Sequence, residues 1–328
     1  MATTNEKLAS SLSVLKQIQD RGINVFQASA LPDLTRVHRE RLVRANFLKA
    51  VIPGWYLASN PADDAGDSTL WYASMETFIA AYANARFGSE WEVSPELSLL
   101  RHSGHASVGK QIVLHATKAN NQLLQLPHDC SVFLYQVKRP ALAARRTPSP
   151  SGLLLVPVAE ALVRVGPSFF EKHPLAAQIV MRQVDVTDLI SALLAGGHSV
   201  IGGRMAGALR AVGREDDASQ LVATLSAADY VVSEANPFEQ PLAPISGRRN
   251  ESPYVQRIQA MWVSMRSAVI DRFADIPIQV PVDVDALIDD ISARYVADAY
   301  HSLSIEGYRV NAALIENVRN GNWNPLTN

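Results

Sequence analysis

Ser302, Glu306 and Gly307 stand in the spacing Ser-x-x-x-Glu-Gly near the end of the chain. On a helix this spacing is about one turn, so hydroxyl and carboxylate project from one face and can reach one partner. The plainer reading is that Ser302 bonds locally, Glu306 is solvated near a helix end and Gly307 stops the helix. A second group is basic: Arg36, Arg39, Arg41 and Arg44, with Lys49 shortly after, against the single Glu40. Held outward on one surface, these residues can meet phosphates or guanine edges in a major groove; the alternative is a solvated helix face.

Other stretches have the look of chemistry without its full set of parts. In GHASVGKQ, Gly104, Gly109 and Lys110 have the spacing of a phosphate-binding loop, but Gln111 stands where a hydroxyl should meet magnesium. A strand-like run follows it where a helix should. His102 and His105 are three apart with no thiolate or carboxylate cluster nearby, so surface or capping roles are expected. Trp55, Trp71, Trp262 and Trp323 read as core or interface fillers, because none lies in a basic aromatic strand pattern.

The elements that must position these residues follow from periodicity. Leu8, Leu12, Leu15 and Ile18 mark a helix over residues 7–20, with Gly22 as its stop. An extended piece over 23–26 leads to a short helix around 28–31, and Pro32-Asp33 opens a third helix running to about Ala45. In that helix Leu34, Val37 and Leu42 are expected to face the core and leave the arginines outside. Strands over 47–51 and 54–57, joined at Pro53-Gly54, complete the order of a winged helix-turn-helix. A helix over 69–87, a turn at 93–95 into another helix, and strands over 111–116 and 131–137 form a small α/β unit. Residues 140–150 read as a proline-rich surface loop, and 158–232 as mostly helical, broken at Gly196-Gly197 and Gly202-Gly203. Beyond 253, Ile258, Met261, Met265 and Ile270, then Val284, Leu287, Ile291, Tyr295 and Ala299, mark two more helices.

The expected fold class is therefore α+β, mostly α. The parts are a winged helix-turn-helix over 1–60, a mixed α/β and helical domain over 61–235, a Pro-rich linker over 236–253 and a helical arm over 254–328. A net charge of −2 gives no global pull toward nucleic acid or anionic membrane, so any such attraction must be local. One cysteine, Cys130, excludes an internal disulfide framework and fits a reducing cytoplasm. The apolar stretch 153–165 is broken by Glu160 and too short to span a bilayer, so neither a membrane helix nor a signal peptide is expected.

Three passages, LKQIQDRGINVFQASAL, RERLVRANFLKAVIPGWYL and IGGRMAGALRAVGRED, resemble the AbiEi-like antitoxins of abortive-infection systems. That resemblance covers about two thirds of the chain and implies DNA binding and regulation, with operator DNA as partner. YVADAYHSLSIEGYRV, with RIQAMWVSMRSAVIDRFADIP before it and LIENVRNGNW after it, resembles the inhibitory helix and helical arm of Fic (Fido) family proteins. These transfer AMP from ATP to a protein hydroxyl. The resemblance implies that Glu306 pairs with a core arginine that otherwise holds the γ-phosphate, leaving nucleotide in a pose unfit for transfer.

The family's core signature His-Pro-Phe-x-x-Gly-Asn-Gly-Arg is not in this sequence; His173-Pro174-Leu175 is the nearest text and lacks the glycines. No catalytic residue and no cofactor is therefore expected in this chain, and AMPylation with ATP and magnesium is expected only with a Fic core supplied in cis or trans. The alternative is a free-standing type IV antitoxin-like transcriptional regulator.

Overall fold

Thr3 starts the first helix by accepting a hydrogen bond from the Glu6 amide while the Glu6 carboxylate accepts from the Thr3 amide, a reciprocal cap on α1 (Thr4–Gln19). Leu15 and Ile18 of α1 pack with Phe26, Leu34, Leu42 and Leu48 in an N-terminal core. Each such burial contributes roughly 1.5–3 kcal/mol. The chain continues through β1 (Val25–Gln27), a short 3-10 turn (Ala28–Ala30), α2 (Arg36–Arg44), β2 (Leu48–Ile52) and β3 (Trp55–Ala58). The strands form an antiparallel sheet in the order β1-β3-β2, with the Pro53-Gly54 turn where it is expected. The third helix begins at Arg36 and not at Pro32-Asp33, because Leu34 turns inward to full burial and Thr35 is extended.

The structure, a computed structural model, describes residues 3–61, 68–107, 109–138, 146–239, 242, 245, 251–274, 283–305 and 312–322. It is α+β and mostly helical, with small sheets. α3 (Thr69–Phe87) carries the second core between the N-terminal sheet and a four-stranded one. That larger sheet runs β4-β5-β7-β6, from β4 (Trp91–Val93), β5 (Gln111–Ala116), β6 (Gln122–Gln125) and β7 (Ser131–Gln136). β5 and β7 are parallel and the outer pairs antiparallel. Trp55 of β3 meets Phe78 of α3 edge-on at 5.6 Å. The expected boundary at 60/61 is thus no gap in packing: the two sheets share α3. β8 (Thr147–Pro148), inside the 140–150 stretch expected to be loop, pairs with β9 (Leu154–Leu155) beyond it.

The third core is helical, built from α4 (Pro95–His102), α5 (Val158–Arg164), α6 (Ser168–Lys172), α7 (Pro174–Gln183), α8 (Val186–Gly196), α9 (Ser199–Ala211) and α10 (Glu215–Ala227). Gly197 ends α8 in the left-handed conformation, as expected of a helix stop. Gly202-Gly203, expected to break the helix, sits inside α9. The reason is a close approach: a Cβ on Gly203 would lie 1.9 Å from the Ser233 carbonyl oxygen, and one on Gly207 would lie 2.1 Å from that of Ala235. Segment 233–236 crosses α9 there, and the Ala235 amide donates to the Gly203 carbonyl at 3.2 Å.

The expected linker is anchored where it begins, since Phe238 is buried and meets Phe170 edge-on at 5.5 Å. α11 (Pro253–Phe273) follows, with Gln256 and Ala260 buried near its start. The chain divides into compact units at Met1–Arg266 and Ser267–Asn328, so the division falls within α11 and not at 253/254. The second unit contains α12 (Val284–Ile305) and α13 (Ala312–Arg319), with Ile315 buried and Arg319 5.5 Å over the Tyr295 ring. No helix among the described residues is long and apolar enough to cross a membrane.

Candidate nucleic-acid interface and regulatory helix

The basic residues of α2 do different things. Arg36 is exposed and pairs with Glu40 one turn on, at 2.7 Å, which holds the Glu40 carboxyl below its usual range. Arg39 is half-buried: it donates to the Leu34 carbonyl and lies 5.9 Å over the Tyr56 ring. Arg41, also half-buried, reaches α1 and donates to the Lys7 carbonyl and the Ser11 hydroxyl, both at 3.4 Å. Arg44 is exposed, and Lys49 is half-buried on β2. Of the four arginines expected to point outward, Arg39 and Arg41 therefore brace the fold. Conversely Val37, expected inside, is 53% exposed beside Val43.

The outward face of α2 thus presents Arg36, Val37, Glu40, Val43 and Arg44. Such a face has guanidinium donors for phosphate or guanine, a carboxylate able to accept from cytosine N4, and apolar groups for thymine methyls. Behind it, Lys49, Val43, Asn46 and His128 help line a cavity of about 370 Å³. Spacing alone could have found Val43, which shares its side of the helix with Arg36 and Glu40.

In the second unit, Ser302 is exposed on α12, while Glu306 and Gly307 lie outside the described residues. The apolar positions expected to face a core are open: Leu287, Ile291 and Tyr295 on α12 are exposed, as are Ile258, Met261, Met265 and Ile270 on α11. Trp262 is 58% exposed and fills no core, whereas Trp55 and Trp71 do; Trp323 is outside the described residues.

The described residues of GHASVGKQ lead from α4 to β5, which starts at Gln111, so a strand follows as expected. The His102 Nε2–H donates to the Val156 carbonyl at 2.9 Å, and burial pushes this imidazole below the ordinary histidine value. Among the described residues no three His, Cys, Asp or Glu side chains are grouped to hold a metal. A cavity of about 1000 Å³ opens between α5 and α8, lined by His102, Glu160, Arg164, Asp188 and His198 among others. On its α5 side Arg164 pairs at 2.7 Å with the fully buried Glu92, which Arg146 approaches to 3.9 Å. Nothing in residue spacing pointed to this triad, whose members are far apart in the chain.

No protein-family model and no curated protein matches the chain. A solved structure, the RV2827C protein from Mycobacterium tuberculosis, is similar at 15% sequence identity and a TM-score of 0.42, over 77% of this chain and 94% of that one.

Proposed function

We propose that the chain is the regulatory region of a Fic-family protein adenylyltransferase, inhibited through Glu306 and carrying a DNA-binding module of the antitoxin type. The observation that carries this reading is the open apolar surface of α11 and α12, with Ser302 exposed near the end of α12. Helices with apolar residues exposed along their length are built to be covered by further protein. In that assembly Glu306 engages the arginine that would otherwise hold the γ-phosphate of ATP. In this reading ATP and magnesium are bound by the catalytic core. Combined with a core bearing His-Pro-Phe-x-x-Gly-Asn-Gly-Arg, Glu306→Gly is expected to raise incorporation of labelled AMP about tenfold or more, the worth of one strong ion pair. Unchanged incorporation overturns the inhibitory role.

A second reading, a free-standing antitoxin-like transcriptional regulator, is supported by the outward face of α2 beside the β2-β3 hairpin. Gel-shift binding to the chain's own promoter, weakened by raising salt, is its expected signature. Absence of DNA affinity at low salt removes it.

A further inference from the structure

The four-stranded sheet has two unlike faces. Ile112, Leu114 and Ala116 of β5 and Val132 and Leu134 of β7 alternate into the second core. The residues between them turn the other way, and the register sets them side by side: His115 beside Tyr135, and Val113 beside Phe133, which has Leu123 of β6 on its other side. On this outer face Tyr135 and Leu123 are each 47% exposed, and Val113, His115 and Phe133 are half-buried. A sheet face turned to water is ordinarily polar, whereas this one is aromatic and apolar at its centre.

The rings adjoin one another. Ring centroids of His115 and Tyr135 are 5.3 Å apart, and those of Tyr135 and Phe133 6.4 Å. Phe133 and Tyr135 stand two residues apart on one strand, a step of about 6.6 Å. That is roughly twice the rise per nucleotide of a duplex strand, so the step suits a strand whose bases are unstacked.

Cations stand at both ends of the two central strands. Lys110 precedes β5, its carbonyl accepting from the Ser131 amide at 2.8 Å, while Lys118 and Lys138 follow β5 and β7. All three are exposed, and among the described residues none has an ion-pair partner. From the β4 side Arg164 donates to the His115 Nδ1 at 3.2 Å. Glu92, next to His115 in the register, is fully buried and held by Arg164 and Arg146. Exposed acidic side chains close by in the chain are Asp129 before β7 and Glu96 in the first turn of α4.

We propose that the outer face of this sheet binds single-stranded nucleic acid, with unpaired bases laid on Tyr135, Phe133 and His115 and the lysines at the strand ends meeting the phosphates. Unpaired lysines at both ends of the ring cluster favour a polyanion as its occupant. The site lies on the sheet and not on α2, and it is independent of the transferase reading. RNA and DNA strands share the chemistry.

The test is fluorescence anisotropy of short labelled oligouridylate and oligothymidylate with the full chain, using unlabelled duplex of the same length as competitor. The expected result is saturable binding that weakens as salt rises and that duplex competes for poorly, since its bases are stacked away from the rings. Tyr135→Ala should weaken binding about tenfold, the loss of one stacked base, while Tyr135→Phe should keep it within about twofold. His115→Ala, on the neighbouring strand, should weaken it as well. The tighter of the two probes identifies RNA or DNA as the source, and either supports the site. The proposal is overturned by an absence of saturable binding with both probes, by duplex competing as well as single strand, or by undiminished affinity in Tyr135→Ala. A dimer in sedimentation that Tyr135→Ala converts to monomer would put a second copy of the chain on this face and overturn it equally.

Discussion

Arg39 and Arg41 show that a basic cluster on one helix need not be one surface. Both donate to groups of the N-terminal fold, so Arg39→Ala should cost about 1–2 kcal/mol in thermal or urea unfolding through lost hydrogen bonding and ring contact. Arg36→Ala and Arg44→Ala, by contrast, should leave stability within about 0.5 kcal/mol and lower DNA affinity and its salt slope, measured by gel shift or anisotropy. Equal effects of all these substitutions on stability would contradict the division. The cluster was legible in the sequence, but its division was not. Helical phase puts Val37 and Arg41 one turn apart, and only the position of α1 decides that Arg41 turns inward while Val37 stays out. Glu92 was invisible for a related reason, since its partners Arg146 and Arg164 come from other parts of the chain. Glu92→Ala leaves these guanidinium groups without a buried counter-charge and should destabilise by about 3–5 kcal/mol in denaturant unfolding. His102 adds a pH term of definite sign. Its folded form is held neutral by burial, so the unfolded chain binds the extra proton first and stability falls as pH drops below about 6.5. Unfolding midpoints between pH 7 and 5.5 check this, and His102→Asn should flatten the slope.

At the scale of elements, long helices and the β2-β3 hairpin were legible, whereas β4 and β6 were not. The apolar spacing of residues 69–87 marks a helix whose bounds agree with α3, and 111–116 with β5. β4, with only three residues, and the weakly patterned β6 give periodicity too little length to register. Gly202-Gly203 misled because local propensity reads glycine as punctuation, whereas here it makes room for another piece of backbone. Gly203→Ala should therefore destabilise by about 1–3 kcal/mol despite the better helix propensity of alanine, since Ser233 must be pushed away. A gain in melting temperature would show that segment 233–236 does not hold to α9.

For the whole molecule, the contrast is between cores. The first unit closes three of them, while the described apolar residues of α12 are mostly exposed. Hydrogen exchange should accordingly be slowest in α3 and α9 and orders of magnitude faster in α12. Comparable protection in all three helices would mean that α12 has found cover in solution. The apolar stripes of α11 and α12 were legible as stripes, but sequence pattern cannot report whether a stripe is occupied.

The crossing of α9 by residues 233–236 also makes tolerance to mutation lopsided. Contact there is largely main chain on main chain; Ser233 and Ala235 are exposed, while the Glu234 carboxylate pairs with Arg210 of α9 at 2.6 Å. In a saturation library Ser233 and Ala235 would accept nearly every amino acid, as would Val200, 84% exposed on the same helix. Gly203 and Gly207 would accept almost none, so one partner of the seam is free to drift while the other is frozen.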